Sequence, residues 1–366
     1  MMYHTKTIQA SKRDTSLASP LSHHTCYYTK WQLLQQQIRN NCTTLMFDFR
    51  QAINIVEKQT IMVVGRDDMN RLVVHLYIPE KKTWSLSHEI KIHPDRDQMA
   101  YAYYNGKLFL IGGMDMFQRF QPDVNIFDVM TQSVKEGPQM RVCRTKASVG
   151  CDGRIAYVVG GLNRFDNWMT HVECLDMGSE LWGIIPSMKE KRETPGVVTV
   201  NGELFIVSGF TNRCEKYDPY LECWKEVIPM PEFFSQTTVF CCEFEGKLYA
   251  FRYFKPDRVC CLDVTKNVWT VFRSMGNPPD RIVCMMNIGN EFWTMDQFGK
   301  LYVYDALINF WSSCFVVPKS LTRPMKLFAL NAADLKESEK TCTATGTAAK
   351  LKNNNENCVN KRSPLI

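Results

Sequence analysis

The 366-residue sequence contains no run of 18 or more apolar side chains, so no segment reads as a membrane-spanning helix. Its start, Met1-Met2-Tyr3-His4-Thr5-Lys6, leads into polar residues and lacks the apolar core of a secretory leader. That predicts a cytoplasmic or nuclear chain with no membrane partner. Histidine is scarce, with seven residues: His4, His23, His24, His75, His88, His93 and His171. None fall in a His-x3-His or His-Glu-x-x-His set, and neither a Walker-type loop nor a Gly-x-Ser-x-Gly elbow occurs. No catalytic residue, cofactor or metal is expected. Cysteine is abundant, at 15 residues, but no Cys-x-x-Cys pair exists. The adjacent pairs Cys241-Cys242 and Cys260-Cys261 sit in apolar stretches and read as small hydrophobes of a reducing compartment. Redox sensing would need an exposed thiol of lowered pKa.

The net charge of +6 does not sit on a basic body. Residues 1–55 carry six Lys/Arg against two Asp/Glu, residues 321–366 eight against four, and residues 56–320 only 30 against 32. A near-neutral body lacks the basic face that phosphate-backbone binding needs, which argues against a nucleic-acid partner. Residues 1–45 are polar and read as a disordered tail, with one short helix candidate over Trp31–Ile38. Residues 331–366, rich in Lys, Asn and Thr, read as a second tail, leaving 46–330 as the folded body.

Within that body a repeat recurs. Trp84, Val134, Trp182, Trp224, Trp269 and Trp311 follow one another at steps of 50, 48, 42, 45 and 42 residues. Six residues before each stands Ile78, Asp128, Asp176, Asp218, Asp263 or Asp305. Turn signals recur upstream at Asn105-Gly106, Asp152-Gly153, Asn201-Gly202, Glu245-Gly246 and Gly289-Asn290. Each precedes a short β-rich run, because the two central residues of such a turn need positive φ. Runs end in Gly112-Gly113, Gly160-Gly161 and Ser208-Gly209. Four short antiparallel strands every 40 to 50 residues make an all-β chain, a β-propeller of six blades, with five to seven compatible with the degenerate glycines. The tryptophans at the repeat period are assigned to packing between blades, and the aspartates to turn capping. Ring closure falls to Leu45–Val56 or Met325–Leu330.

The order apolar-apolar-Gly-Gly, Tyr/Phe-Asp, then six residues to Trp resembles the kelch repeat. Its best copies hold Val158-Val159-Gly160-Gly161 with Asp176 and Trp182, and Ser208-Gly209 with Tyr217-Asp218-Pro219 and Trp224. The resemblance spans roughly residues 50–320 and weakens in the first repeat and the last two, where Phe251 and Met295 stand near the glycine positions. It implies a protein-binding propeller, similar to that of BTB/BACK/kelch proteins, whose BTB part docks a cullin ubiquitin ligase. About 45 to 55 residues precede the repeats here, too few for BTB or BACK, so the ligase link holds only with a BTB domain upstream. A cytoskeletal, actin-associated scaffold is the alternative.

The loops after each glycine position join the second and third strands of a blade and open on one rim. They bring Phe117, Arg119, Arg164, Phe165, Trp168, Arg213, Arg252, Tyr253, Lys255 and Arg258 to it. Arginine with aromatics is the composition of binding hot spots, although loops of any neutral body carry some of both. A second set, Arg141, Arg144, Arg192 and Arg281, precedes the blades. Related propellers use arginines there to hold acidic segments, and the other reading is an arginine bonded to backbone carbonyls. Together the two sets predict a protein partner presenting an acidic segment to one mouth of the ring.

Overall fold

A computed structural model describes residues 60–330 apart from 79, 80, 86 and 290. The propeller belongs to the compact unit Glu57–Ile366. The polar tails 1–45 and 331–366, the helix candidate 31–38 and the closing candidate 45–56 lie outside the described residues.

Among the described residues, six sheets of four principal strands surround an axis, and a two-stranded sheet pairs Arg96–Asp97 with Met114–Asp115. Blade 2 runs from its inner strand Ala100–Tyr104 through Lys107–Ile111 and Val124–Asp128 to its outer strand Val134–Glu136. Blade 3 is Ser148–Asp152, Ile155–Val159, Val172–Asp176 and Leu181–Ile184, and blade 4 is Gly196–Val200, Glu203–Val207, Cys214–Asp218 and Cys223–Val227. Blade 5 is Val239–Phe244, Lys247–Arg252, Arg258–Asp263 and Val268–Arg273. Blade 6 is Cys284–Ile288, Glu291–Met295, Lys300–Asp305 and Phe310–Val316, and it carries a fifth, parallel strand, Met275–Gly276, on its outer edge.

Blade 1 closes the ring. Its second and third strands are Thr60–Asp67 and Leu72–Ile78, and its outer edge is broken into Thr83–Trp84 and His88–Glu89. Its inner strand comes from the other end of the body: Leu321–Leu330 pairs antiparallel with Thr60–Asp67. The closing strand therefore contains the Met325–Leu330 candidate. It meets blade 2 through Tyr103 and Phe328, with ring centroids 5.9 Å apart, and through the Tyr101 hydroxyl, 3.8 Å from Met325 Sδ.

Both faces of each inner sheet are buried, which explains why the strands read as apolar runs and not as alternating ones. In Ile155–Val159, Ala156 and Val158 pack toward Phe109 and Ile126 of blade 2. Tyr157 and Val159 pack toward Leu204 and Ile206 of blade 4. The repeat tryptophans refine the packing expectation. Trp182, Trp224 and Trp269 are only partly buried, and each indole N–H donates to a carbonyl in the segment leading from the preceding blade: Pro138 at 2.7 Å, Pro186 at 2.6 Å and Ile228 at 2.9 Å. Trp311 is fully buried beside Met275–Gly276, and among the described residues its Nε1 has no partner. The aspartates cap turns as expected. Asp128, Asp176, Asp218, Asp263 and Asp305 each accept two backbone N–H groups from residues two and three positions on. The Leu221 N–H and the Lys225 ammonium hold Asp218 below the usual carboxylate range.

Candidate protein-interaction face

The short second-to-third-strand loops and the segments entering each blade open on the same side of the ring. Four of these loops share one local device, an Asx turn. The side-chain oxygen of Asp67, Asp115, Asn163 or Asp296 accepts the backbone N–H groups two and four residues on. The residue three positions on lies in the left-handed region: Asn70, Gln118, Asp166 or Gly299. The device pushes the side chain at the second position outward. Met69, Phe117, Phe165 and Phe298 occupy it and are 70%, 69%, 68% and 74% exposed. Met116, Trp168, Phe210 and Phe254 add exposed apolar surface on blades 2 to 5. Every blade thus presents a large apolar side chain on this rim. Met69, Met116 and Phe298 escaped the sequence reading; the signal available was the step of 48 residues between Asp67, Asp115 and Asn163.

The rim arginines are arranged on these aromatics. Arg119 pairs with Asp115 at 2.8 Å and lies 5.1 Å from the Phe117 ring centroid. Arg164 lies 4.8 Å from the Phe165 ring. Trp168 of blade 3 meets Phe210 of blade 4 at 5.6 Å, and Arg213 lies 3.4 Å from Glu190. On blade 5, Arg252 and Arg258 both face Phe233, at 5.8 and 5.3 Å, while Lys255 is exposed. Tyr253 packs edge-on to Phe254, and Arg281 covers that same Phe254 ring at 4.2 Å. Arg141 is exposed.

Arg144 and Arg192 are corrected. They are 1% and 0% exposed and cannot reach a partner. Arg144 donates to the carbonyls of Gly160 (3.3 Å) and His171 (3.0 Å) and to Glu173 (2.5 Å). Arg192 makes the same set with the Ser208 carbonyl, the Arg213 carbonyl (2.8 Å) and Glu215 (2.9 Å). Arg96 repeats it in blade 2, on the carbonyls of Gly112 and Asp123 and on Asn125. Glu173 and Glu215 each also accept two backbone N–H groups from the segment entering the blade. The backbone carbonyls of Arg144 and Arg192 in turn accept from Gly113 and Gly161 of the preceding blade. Each arginine therefore bolts two blades together. The glycine pairs are required by the same joint. Gly160 and Gly161 have φ of 61° and 93°, and a Cβ on either would stand 2.5 Å from the Arg192 or Thr145 carbonyl oxygen.

The rim surrounds the mouth of an axial cavity of about 530 Å³ lined by the inner strands, with Asp97 and Arg323 paired at 2.6 Å. Among the described residues no group of three or more His, Cys, Asp or Glu is placed to hold a metal ion. Burial pushes the Cys214 thiol up to about 12 and the Cys284 thiol up to about 11, which makes them poor nucleophiles at neutral pH.

A six-bladed β-propeller with an apolar, arginine-bearing rim has the form of a binding scaffold. The kelch motif model matches residues 143–189, the segment that contains blade 3 and its entering arginine. Kelch repeat protein C2 of cowpox virus is 27% identical over 200 residues, covering 53% of this chain and 37% of that protein. Kelch repeat-containing protein kel-10 of Caenorhabditis elegans is 30% identical over 128 residues, 32% of this chain and 22% of that one. Mouse Kelch-like protein 35 is 27% identical over 176 residues, 44% of this chain and 29% of that one. The chain thus spans well under half the length of these curated relatives. Together with the repeat geometry above, these matches show a six-bladed β-propeller that carries a kelch motif and is similar to kelch-repeat proteins, which supports reading it as a protein–protein interaction module.

Proposed function

We propose that the loop rim bearing Phe117, Phe165, Phe298 and the blade 5 arginines is the docking face for a protein partner, and that the partner brings an acidic segment to it. The observation that carries this reading is the crown of exposed apolar tips, one on every blade, four of them held outward by the same Asx turn. Large exposed apolar side chains interleaved with arginine mark interaction surfaces. Arg164, Arg252, Lys255, Arg258 and Arg281, which have no carboxylate partner among the described residues, add the attraction for acidic groups. By resemblance to BTB/BACK/kelch proteins, and given a BTB domain upstream, the module acts as a substrate-recognition adaptor of a cullin-type ubiquitin ligase. Charge reversal of Arg164, Arg213 and Arg252 together tests the acidic-segment part: partners that co-purify with the parent are expected to be lost. Their full retention would sink it. Co-sedimentation with filamentous actin separates the adaptor, which stays in the supernatant, from a cytoskeletal scaffold.

A further inference from the structure

We propose that the blade 5 loop is an oxyanion subsite that takes the phosphoryl group of a phosphorylated segment of the partner. The inference rests on the reading of the rim as the docking face and names the group that face would grip.

Blade 5 departs from the joint that blades 2 to 4 share. There the residue just after the second strand is Gly112, Gly160 or Ser208, and the arginine sixteen positions earlier is buried on its carbonyl. In blade 5 the strand-ending residue is Arg252, and the position sixteen earlier is Gln236, which is exposed. The third-strand acid or amide, Asn125, Glu173 or Glu215 in the other blades, becomes Cys260. The bolt is absent from this blade, and cations point outward in its place. The guanidinium groups of Arg252 and Arg258 share the Phe233 ring, and Arg281 covers Phe254. A β-bridge between Phe254 and Arg281, with the Lys255 N–H donating to the Asp280 carbonyl at 3.0 Å, ties the two halves together.

Among the described residues, no carboxylate lies within 4 Å of Arg252, Lys255, Arg258 or Arg281. Elsewhere on the rim Arg71, Arg119 and Arg213 each have one. The Arg252 Nε–H is buried with no acceptor. One Arg281 N–H donates to Gln297 Oε1 at 3.2 Å and one Arg252 N–H to the Lys255 carbonyl at 3.5 Å, while a guanidinium laid on a ring still presents its other in-plane donors in forks that match phosphate geometry. A single carboxylate satisfies one fork. A phosphoryl ester carries nearly two charges and three acceptor oxygens, enough for several forks and for the charge of the cluster.

The test titrates N-acetyl-O-phosphoserine amide into the full chain at low salt and follows arginine Nε–Hε NMR signals. N-acetylaspartate amide and inorganic phosphate serve as parallel probes. The phosphoserine probe is expected to bind about tenfold tighter than the aspartate probe. Arg252→Gln/Arg258→Gln is expected to weaken it about tenfold, while Arg71→Gln, on the same rim but already paired with Asp67, leaves it unchanged. Binding should weaken between about pH 7 and about pH 5, as the ester loses its second charge while arginine keeps its own. If the double variant does not fold, Arg281→Gln alone reads the same loss. Absence of saturable phosphoserine binding, or equal loss in Arg71→Gln, overturns the subsite. Inorganic phosphate binding as tightly as the ester overturns the assignment to a partner segment. Loss of partner binding in rim-tip variants with no phosphoserine binding leaves the docking face standing and removes the subsite alone.

Discussion

Replacing Arg192 by Met takes the guanidinium out of a joint where nothing can substitute for it. Arg192 is 0% exposed, and its partner Glu215 is 1% exposed. The carboxylate would keep only the N–H groups of Lys189 and Glu190, at 2.7 and 3.2 Å. The Ser208 and Arg213 carbonyls would lose their donor. Breaking a buried pair from one side costs about 3–5 kcal/mol. A domain holds only about 5–15 kcal/mol in total, so this is a large fraction. At this size the thermal midpoint should fall by about 10 °C. Urea unfolding followed by tryptophan fluorescence, with thermal melts alongside, measures it. Two comparators isolate the cause. Arg213→Gln, whose exposed side chain pairs loosely with Glu190, should stay within about 0.5 kcal/mol of the parent. Arg192→Met combined with Glu215→Leu removes both charges and should recover at least half of the loss. An Arg192→Met protein as stable as its parent, or a double variant worse than the single, would refute the bolt.

Other outcomes follow from the same geometry. Gly160→Ala should cost about 3 kcal/mol in urea unfolding, because its Cβ meets the Arg192 carbonyl, whereas Gly153→Ala, with φ of 54° and open space around it, should cost only about 1 kcal/mol. His75 is buried, with Nδ1 3.3 Å from the Ser85 carbonyl and Nε2 3.4 Å from Ser320 Oγ, and burial holds its pKa below the ordinary value of 6.5. The unfolded chain therefore binds the proton more readily, so stability should be full above pH 6.5 and drop as pH falls toward the folded-state pKa. His75→Gln should flatten that part of a denaturation-against-pH profile.

The blade repeat was legible because two of its anchors carry residue identity. An Asp caps the outer turn in five blades, and in blades 3 to 5 a Trp six residues later donates to the segment leaving the preceding blade. The closing strand was legible only as one of two candidates, since its pairing with Thr60–Asp67 is set by ring geometry that no local pattern records. The buried arginines were visible as arginines, but their acceptors are mostly backbone carbonyls, which any residue supplies, so their role as bolts stayed open against a role in binding. Arg96 shows the same limit. It stands 48 residues before Arg144, yet its strand partner is Asn125 and not an acid, which hides the repeat. The apolar tips at Met69 and Phe298 were hidden because an Asx turn is built from one side chain and the backbone, with no fixed residue at the exposed position.

The rim is tested most directly by comparing the two ends of the ring. Phe117→Ala/Phe165→Ala/Phe298→Ala removes tips from the loop rim, and Tyr220→Ala/Leu307→Ala removes exposed apolar side chains, 93% and 67% accessible, from the outer turns of blades 4 and 6. Both sets lie on exposed turns, so both proteins should fold and melt like the parent. Quantitative capture of interacting proteins from an extract of cells that express the chain compares them. The loop-rim variant should lose the partners that the parent retains, and the outer-turn variant should keep them. Partners kept by the first and lost by the second would contradict the assignment of this rim as the docking face.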